Sequence, residues 1–513
     1  MNKVKPLNVS VIGASFAGLF AAAAAAASGH HVTIIERDGI PTTPQPRGGV
    51  PQSDQTHILL HRGLVSAEHL LPGLHDELIQ RGAPEFKVGL MALLSADGWA
   101  PRGDYGFPLV CSSRTLLEHV IRKRVLALPN VQVLQQRRVQ ALRQNSSGTW
   151  TLQLQSTDNA STDNASTDIP VTTDNASTTD SPSTTQDDHS SDHSDALVAD
   201  LVIDASGRSS RLPTWLKQLG VPPVATTTID ARVGYATRRF TSSRPPGPGV
   251  LMLVSAKQSR GCIVSPIEDG YWQVTSVGRG DHRPGRDGDE FMEHLAKLPD
   301  PMALDMVKDM TPVSDVVVHR QTANVRHHYG RGRRWPSGLI VVGDALCALN
   351  PVYGSGITVA ACQGRLLERA FKKAQHGNLN TPRLQRSLAR SANLPWTMAT
   401  SQDRQLLTTP QRARPVEAVV GWWGAEVARL AGAGDARAAD VLQAVTHLMS
   451  HPIVLFTPPL LVASLRSRLR PRRMQAPTTT PTLSSYPIVS DHTAHRDLDS
   501  SARAGGVKAG SGA

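Results

Sequence analysis

The chain of 513 residues is 40% hydrophobic but only 4% aromatic, and at that length it can bury a large core and form two closely joined domains. Its formal net charge of +11 suits an anionic partner, but much of the excess sits in RSRLRPRRM (466–474) and no nucleic-acid module accompanies it, which argues against nucleic acid. Cys111, Cys262, Cys347 and Cys362 stand far apart with no metal-ligand spacing, so no metal site is expected, and they read as thiols of a reducing, cytoplasmic compartment.

The start, MNKVKPLNVSVIGASFAG, does not read as a signal peptide, because its apolar run carries glycines in a cofactor pattern. Residues 7–40 predict a strand at Asn8 to Ile12, a tight turn, a helix built on the alanine run Ala21 to Ala27, and a second strand, HVTIIE (31–36). In VIGASFAG (11–18), Gly13, Ser15 and Gly18 occupy the first, third and sixth places of a GxGxxG motif. Gly13 permits the turn, and Ser15 is small enough for close backbone approach. Gly18 lets the helix lie against the strand, and the free N–H groups of the helix start suit a pyrophosphate. Glu36 ends the second strand, where an acid accepts ribose hydroxyls. Together these features predict dinucleotide binding.

Further on, TWTLQLQ (149–155) and ALVADLVIDAS (196–206) read as strands flanking a low-complexity block, 156–196, with three copies of DNAST. With almost no apolar residues, this block is expected to be a disordered loop within one domain. In DASGRSSRLPTWL (204–216) a strand runs into an acid and a Gly-Arg turn. Asp204 is suited to cap that turn and Arg208 to meet a phosphate, and a purely structural turn fits equally well. Residues 230–330 alternate strand-like runs with turns, which predicts an antiparallel sheet with one face free to cover a ligand. Near 341 the chain reads VVGDALCALNPVYGSGITVAA. A buried strand stops at Asp344, passes through a Pro-Gly loop and restarts as a helix from about Ile357. Asp344 is suited to sugar or ribityl hydroxyls, and two helix starts aimed at one dinucleotide suit a reduced, anionic flavin. Residues 360–470 read mostly helical, with loops near 376–382 and 408–412. No run of about 20 apolar residues predicts a membrane span. HPIVLFTPPLLVASL (451–465), followed by arginines, predicts a packed helix, with a weak membrane-surface contact as its alternative.

The three motifs, in this order, resemble the class A, para-hydroxybenzoate-hydroxylase-like FAD-dependent monooxygenases. RGGVPQSDQTHILLHRGL (47–64), CSSRTLLEHVIRKRV (111–125) and VGYATRRF (233–240) are similar to a bacterial tailoring subgroup of hydroxylases and epoxidases. The resemblance implies an α/β fold: a Rossmann-like FAD-binding domain (1–155, 197–229, 331–375) interleaved with an antiparallel substrate domain (230–330), then a helical C-terminal region (376–474) and a disordered tail (475–513). It implies FAD as cofactor, NADPH or NADH as transient co-substrate, O2, and a small lipophilic substrate oxygenated through a flavin C4a-hydroperoxide. By position, Gly13, Ala14, Ser15, Ala17 and Gly18 would form the glycine loop, with Glu36 at the adenosine ribose, Arg114 at the diphosphate and Arg37 among the cofactor-binding residues. Asp344 would bind the ribityl side, Gly354, Gly356 and Ile357 would lie at the flavin ring, and Arg47 would stand near the flavin or nicotinamide. No side-chain catalyst is implied; His57 and Tyr353 are pocket candidates. Two departures from the family pattern stand out: Gln55-Thr56-His57 replaces His-x-His, and Asp204-Ala205-Ser206-Gly207 replaces Asp-Gly. The alternatives are a flavin oxidase or dehydrogenase without oxygen insertion and a non-catalytic flavin protein. A halogenase is disfavoured, because no Trp-x-Trp-x-Ile-Pro motif is present.

Overall fold

The computed structural model describes residues 5–48, 52–96, 98–100, 102–157, 195–243, 247–330, 335–374, 379–407 and 415–469. The predicted disordered tail and nearly all of the low-complexity block lie outside these residues. The first body is built on a five-stranded parallel sheet. Its order is Leu339–Val341, Leu201–Asp204, Asn8–Ile12, His31–Ile35 and Val131–Leu134. Strands buried on both faces read as near-continuous Val, Ile and Leu runs, as VSVI and LVI do here.

Helix Phe16–Ala26 follows the first strand, and Ala21 to Ala26 are all buried. Their small side chains let a second helix, Gly356–Ala374, press close. A Cβ on Gly364 would stand 2.9 Å from Phe20 Cβ and 2.7 Å from Leu70 Cδ1, so helix His61–Leu70 joins the same tight layer. The run ALVADLVIDAS, read as one strand, divides at Asp200. Asp195–Ala199 pairs antiparallel with Trp150–Ser156, whereas Leu201–Asp204 enters the parallel sheet. The Asp200 carboxylate marks the break by accepting Asn8 N–H at 2.8 Å.

Trp150–Ser156 and Asp195–Ala199 are hairpin partners in register. Replacing 158–194 by a short turn is therefore expected to leave flavin content and Tm nearly unchanged, because loop-closure cost varies only slowly with length. A large loss in either quantity, read by absorbance and thermal melting, would contradict this.

The second body is an eight-stranded sheet centred on Val233–Thr241, Tyr271–Arg279 and Arg260–Pro266, all antiparallel. It recruits Ala92–Ser95 and Gly98–Trp99 from the stretch that the sequence placed in the first body. Ala92–Leu94 pairs parallel with Val250–Met252, a non-local pairing that no local pattern announces. Side chains alternate between the two faces. Ala236, Phe240, Trp272 and Val274 pack with Phe291 and Leu295 of helix Gly288–Ala296. Tyr235, Thr237, Gln273 and Thr275 lie on the opposite face, where Gln55 and Thr56 meet them. The C-terminal helices Pro415–Gly432, Ala436–Thr446 and Pro458–Leu469 share a small core of Trp423, Val427, Leu455 and Leu460. His447 ties this core to the first body by accepting His61 N–H at Nδ1, 3.2 Å away.

Candidate functional site

The C-terminal ends of the parallel strands open into a cavity of about 630 Å³, the usual place for a ligand in such a sheet. Gly13, at φ +103°, makes the first turn. Its N–H donates to Ile35 O at 2.8 Å, and a Cβ there would sit 2.7 Å from Ala205 O. Gly18 is not in the cavity wall. It is packed under the turn, where a Cβ would meet Gly13 O at 1.8 Å. Ala14, Ser15 and Ala17 line the cavity with Gly13. Ser15 caps the helix without a side-chain bond to it, and the first-turn N–H groups have no intrahelical acceptor.

Glu36 is buried at one end of the cavity. Its carboxylate accepts Ala14 N–H at 2.7 Å, Asp38 N–H at 3.1 Å and Arg47 Nη1 at 3.1 Å. A carboxylate has about four lone-pair positions, so one remains for a ribose hydroxyl. Arg37 is exposed at the rim. Arg47, expected near the flavin or nicotinamide, lines the cavity beside Glu36. It is buried between Glu36 and Glu118, because two carboxylates from different elements hold its guanidinium. Those acids also outweigh its burial and raise its pKa further. The cluster's centre, Glu118, went unremarked in the sequence, although its i±4 spacing from Arg114 and Arg122 is visible there.

Arg114 begins helix Arg114–Leu126, capped by Ser113. Its guanidinium lies 5.0 Å from the Phe16 ring centroid and donates to Ser15 Oγ at 3.2 Å and His57 Nε2 at 2.9 Å. His57 Nε2 is thus the acceptor, and the proton resides on Nδ1, which donates to Gln55 O at 2.8 Å. Burial and the Arg114 charge push the His57 pKa down to about 3, so the ring is neutral at physiological pH. Unfolded His57 takes up a proton near 6.5 and the folded ring does not, so folding stability falls as pH drops from about 6.5 towards about 3. Melting at pH 7 and pH 5 is expected to show a shallower decline in His57→Gln than in the wild type.

Asp344 follows strand Leu339–Val341, and burial in the cleft raises its pKa against the opposing pull of Arg208 and Arg114. Arg208 Nε is 3.5 Å from its carboxylate. Gly343, at φ +60°, lies so close to the glycine loop that its Cβ would stand 2.5 Å from Ala17 Cβ. The late motif therefore sits directly on the early one. Gly354, Gly356 and Ile357 complete that wall as helix Gly356–Ala374 begins. Ser355 Oγ, buried at this helix start, has no hydrogen-bond partner among the described residues.

The middle motif divides its work. Asp204 is fully buried and accepts Ser206 N–H at 3.0 Å and Ser210 O–H at 2.6 Å, so it holds the turn. Arg208 lines the cavity and clasps Leu349 O at 2.5 Å and Ala323 O at 2.7 Å. Tyr353 is absent from the wall; its hydroxyl donates to Asp403 at 2.5 Å. Arg137, Arg138, Arg211 and Trp215 also line the cavity, and Gln52, His319 and Gln321 line the second-body side. Arg137, Arg138 and His319 reach the cavity on paired strands, and the other four on loops and a short helix that no local pattern aims there.

An elongated anionic dinucleotide fits this set. Two helix starts and a glycine turn with no room for a side chain face one cavity. The residues match the donors that FAD requires.

Residues 6–400 match the family model described as "FAD binding domain". Protein Rv3254 of Mycobacterium tuberculosis is 30% identical over 402 residues, 76% of this chain and 78% of its own length. The flavin-dependent brominase Bmp2, as a triple mutant, superposes with a TM-score of 0.59 at 13% identity, covering 90% of this chain and 99% of its own. OxyS anhydrotetracycline hydroxylase from Streptomyces rimosus gives a TM-score of 0.53 at 12% identity, covering 87% and 77%. At these identities the two structures speak for the fold. Among the described residues no helix is long and apolar enough to cross a membrane. The glycine loop, the acid-ended strands and the family match together place the chain in the FAD-binding-domain family of class A flavoprotein monooxygenases, as an FAD-dependent oxidoreductase that acts on a small molecule with O2.

Proposed function

We propose that this protein uses NADPH or NADH and O2 to hydroxylate or epoxidise a small lipophilic, natural-product-type molecule. The observation that carries the reading is the convergence of two helix starts, Glu36 and Asp344 on one cavity roofed by the second sheet. When bound and reduced, FAD supplies the activated oxygen; the protein supplies position, charge and exclusion of water. The turn from Gly13 to Ala17 and Arg114 hold the pyrophosphate. Glu36, with Arg37 at the rim, holds the adenosine ribose. Asp344 takes the ribityl hydroxyls, and the backbone at Gly354, Gly356 and Ile357 donates to the flavin ring, where negative charge gathers on reduction.

A small apolar core lies beside the loop that precedes the late helix. Tyr235, Val277 and Leu406 are buried together, with Val254 and Val352 against them. Val352 precedes the Gly354 turn, so this cluster adjoins the flavin-ring wall. Neutral His57, fixed by Arg114 and Gln55 O, bridges the glycine loop to the roof. The sheet face beside it carries the linked hydroxyls of Thr56, Thr275 and Thr237.

The decisive experiment reads the 300–550 nm spectrum of purified protein, adds NADPH or NADH without oxygen, then admits air. Flavin bands should bleach and return with peroxide, and labelled oxygen from O2 should enter a turned-over substrate. Turnover without label would assign an oxidase or dehydrogenase, and a flavin that neither nucleotide reduces would assign a non-catalytic flavin protein.

A further inference from the structure

Exposed apolar surface gathers at one end of the molecule. Nine large hydrophobic side chains stand open to solvent among the described residues. Six of them, Val419, Trp422, Ile453, Leu461, Val462 and Leu465, lie within 415–469. Helix Pro458–Leu469 is apolar on two sides. Leu460 is buried against the Trp423 core, whereas Leu461, Val462 and Leu465 are 46%, 44% and 60% exposed. Spacings of three and four residues put those three on one outward stripe. A contiguous row of large exposed apolar side chains marks a contact surface; here solvent takes that side. The helix packs on Pro415–Gly432, which presents Val419 and Trp422 at i, i+3, and on the turn that exposes Ile453.

The charge beside this surface selects the partner. From Val441 to Met474 the sequence holds five arginines and no Asp or Glu, and Arg466 is exposed on the stripe's flank. A second copy seated two-fold on the same face would bring two like-charged, acid-free stretches into one interface. An apolar stripe flanked by Arg466, in a stretch of sequence with no acidic residue, lying along a surface without spanning it, matches an anionic phospholipid interface. We propose that helix Pro458–Leu469, with Trp422 beside it, docks the protein on anionic membrane surfaces. Leu461, Val462 and Leu465 enter the headgroup boundary, and Arg466 meets a lipid phosphate. The proposal is independent of the reaction assigned above, because none of these residues lines the cavity.

Flotation of the full FAD-loaded chain with phosphatidylglycerol vesicles and with phosphatidylcholine vesicles tests it. Binding to the anionic vesicles is expected, weaker by about tenfold or more on the neutral ones and reduced by salt. The double variant Leu461→Glu/Leu465→Glu should lose about tenfold or more of that binding, with flavin content and Tm unchanged. Arg466→Glu should weaken it to a smaller extent. No binding of the wild type to phosphatidylglycerol would overturn the proposal. So would binding that survives the double glutamate variant, which would mean charge attraction alone. A wild-type dimer that the double variant converts to monomer would reassign the face to self-association.

Discussion

Gly13→Val is expected to give a colourless protein that cannot be reconstituted with FAD, with affinity lost by more than about a hundredfold, or about 3 kcal/mol. Two independent costs act at this position. Gly13 sits at φ +103°, a region that a β-branched residue enters only under strain. A Cβ would also press on Ala205 O at 2.7 Å. Ala205 belongs to the turn after the neighbouring strand, so the clash moves the middle motif as well as the glycine loop. Far-UV circular dichroism separates loss of the turn from loss of the fold. The placement of the pyrophosphate site predicts near-native dichroism without flavin absorbance, and a yellow, FAD-loaded variant would contradict it.

Asp403→Ala is expected to have the largest effect of any substitution outside the cavity wall. Asp403 is fully buried and accepts the Tyr353 hydroxyl at 2.5 Å, Asn324 Nδ2 at 2.5 Å and Asn350 Nδ2 at 3.2 Å. Asn350 in turn accepts Val352 N–H at 3.2 Å and donates its own N–H to Asn324 Oδ1 at 2.8 Å. One carboxylate on helix Asn393–Leu406 thus holds the loop that leads to Gly354 and Gly356. Its removal leaves three buried donors without an acceptor, each costing about 1–3 kcal/mol, so stability should fall by at least about 3 kcal/mol. FAD affinity should fall about tenfold or more as the loop loses its fixed shape, a loss of about 1.4 kcal/mol. Tyr353→Phe removes one donor and should cost only about 1 kcal/mol. Chemical denaturation and flavin titration of both variants check the ranking. Equal losses in the two, or FAD affinity unchanged in Asp403→Ala, would show that the cluster does not govern the loop.

The double link of Arg208 belongs to the same logic. It holds Leu349 O and Ala323 O while facing Asp344. The loop before the late helix is therefore fastened from the middle motif on one side and from helix Asn393–Leu406 on the other. Tyr353, a substrate-contact candidate by sequence, is part of that fastening and lies outside the cavity wall.

The sequence by itself determined the parallel nucleotide-binding unit and where its glycine turn and strand-end acids lie. The strand at Asn8–Ile12, the alanine helix, Glu36 at the second strand end, Asp344 at a later one and the restart at Gly356 all follow from short-range rules. Those rules concern turn geometry, helix propensity and alternation, each settled within a few residues. Only the tertiary structure decided what those residues meet. Arg47 joins Glu36 and Glu118 across 11 and 71 residues. Residues 92–99 leave the first body for the second sheet, and Tyr353 finds Asp403 50 residues away. These partnerships depend on strand order and on which buried charge must be compensated, and both are properties of the whole packed chain that no local window of sequence contains.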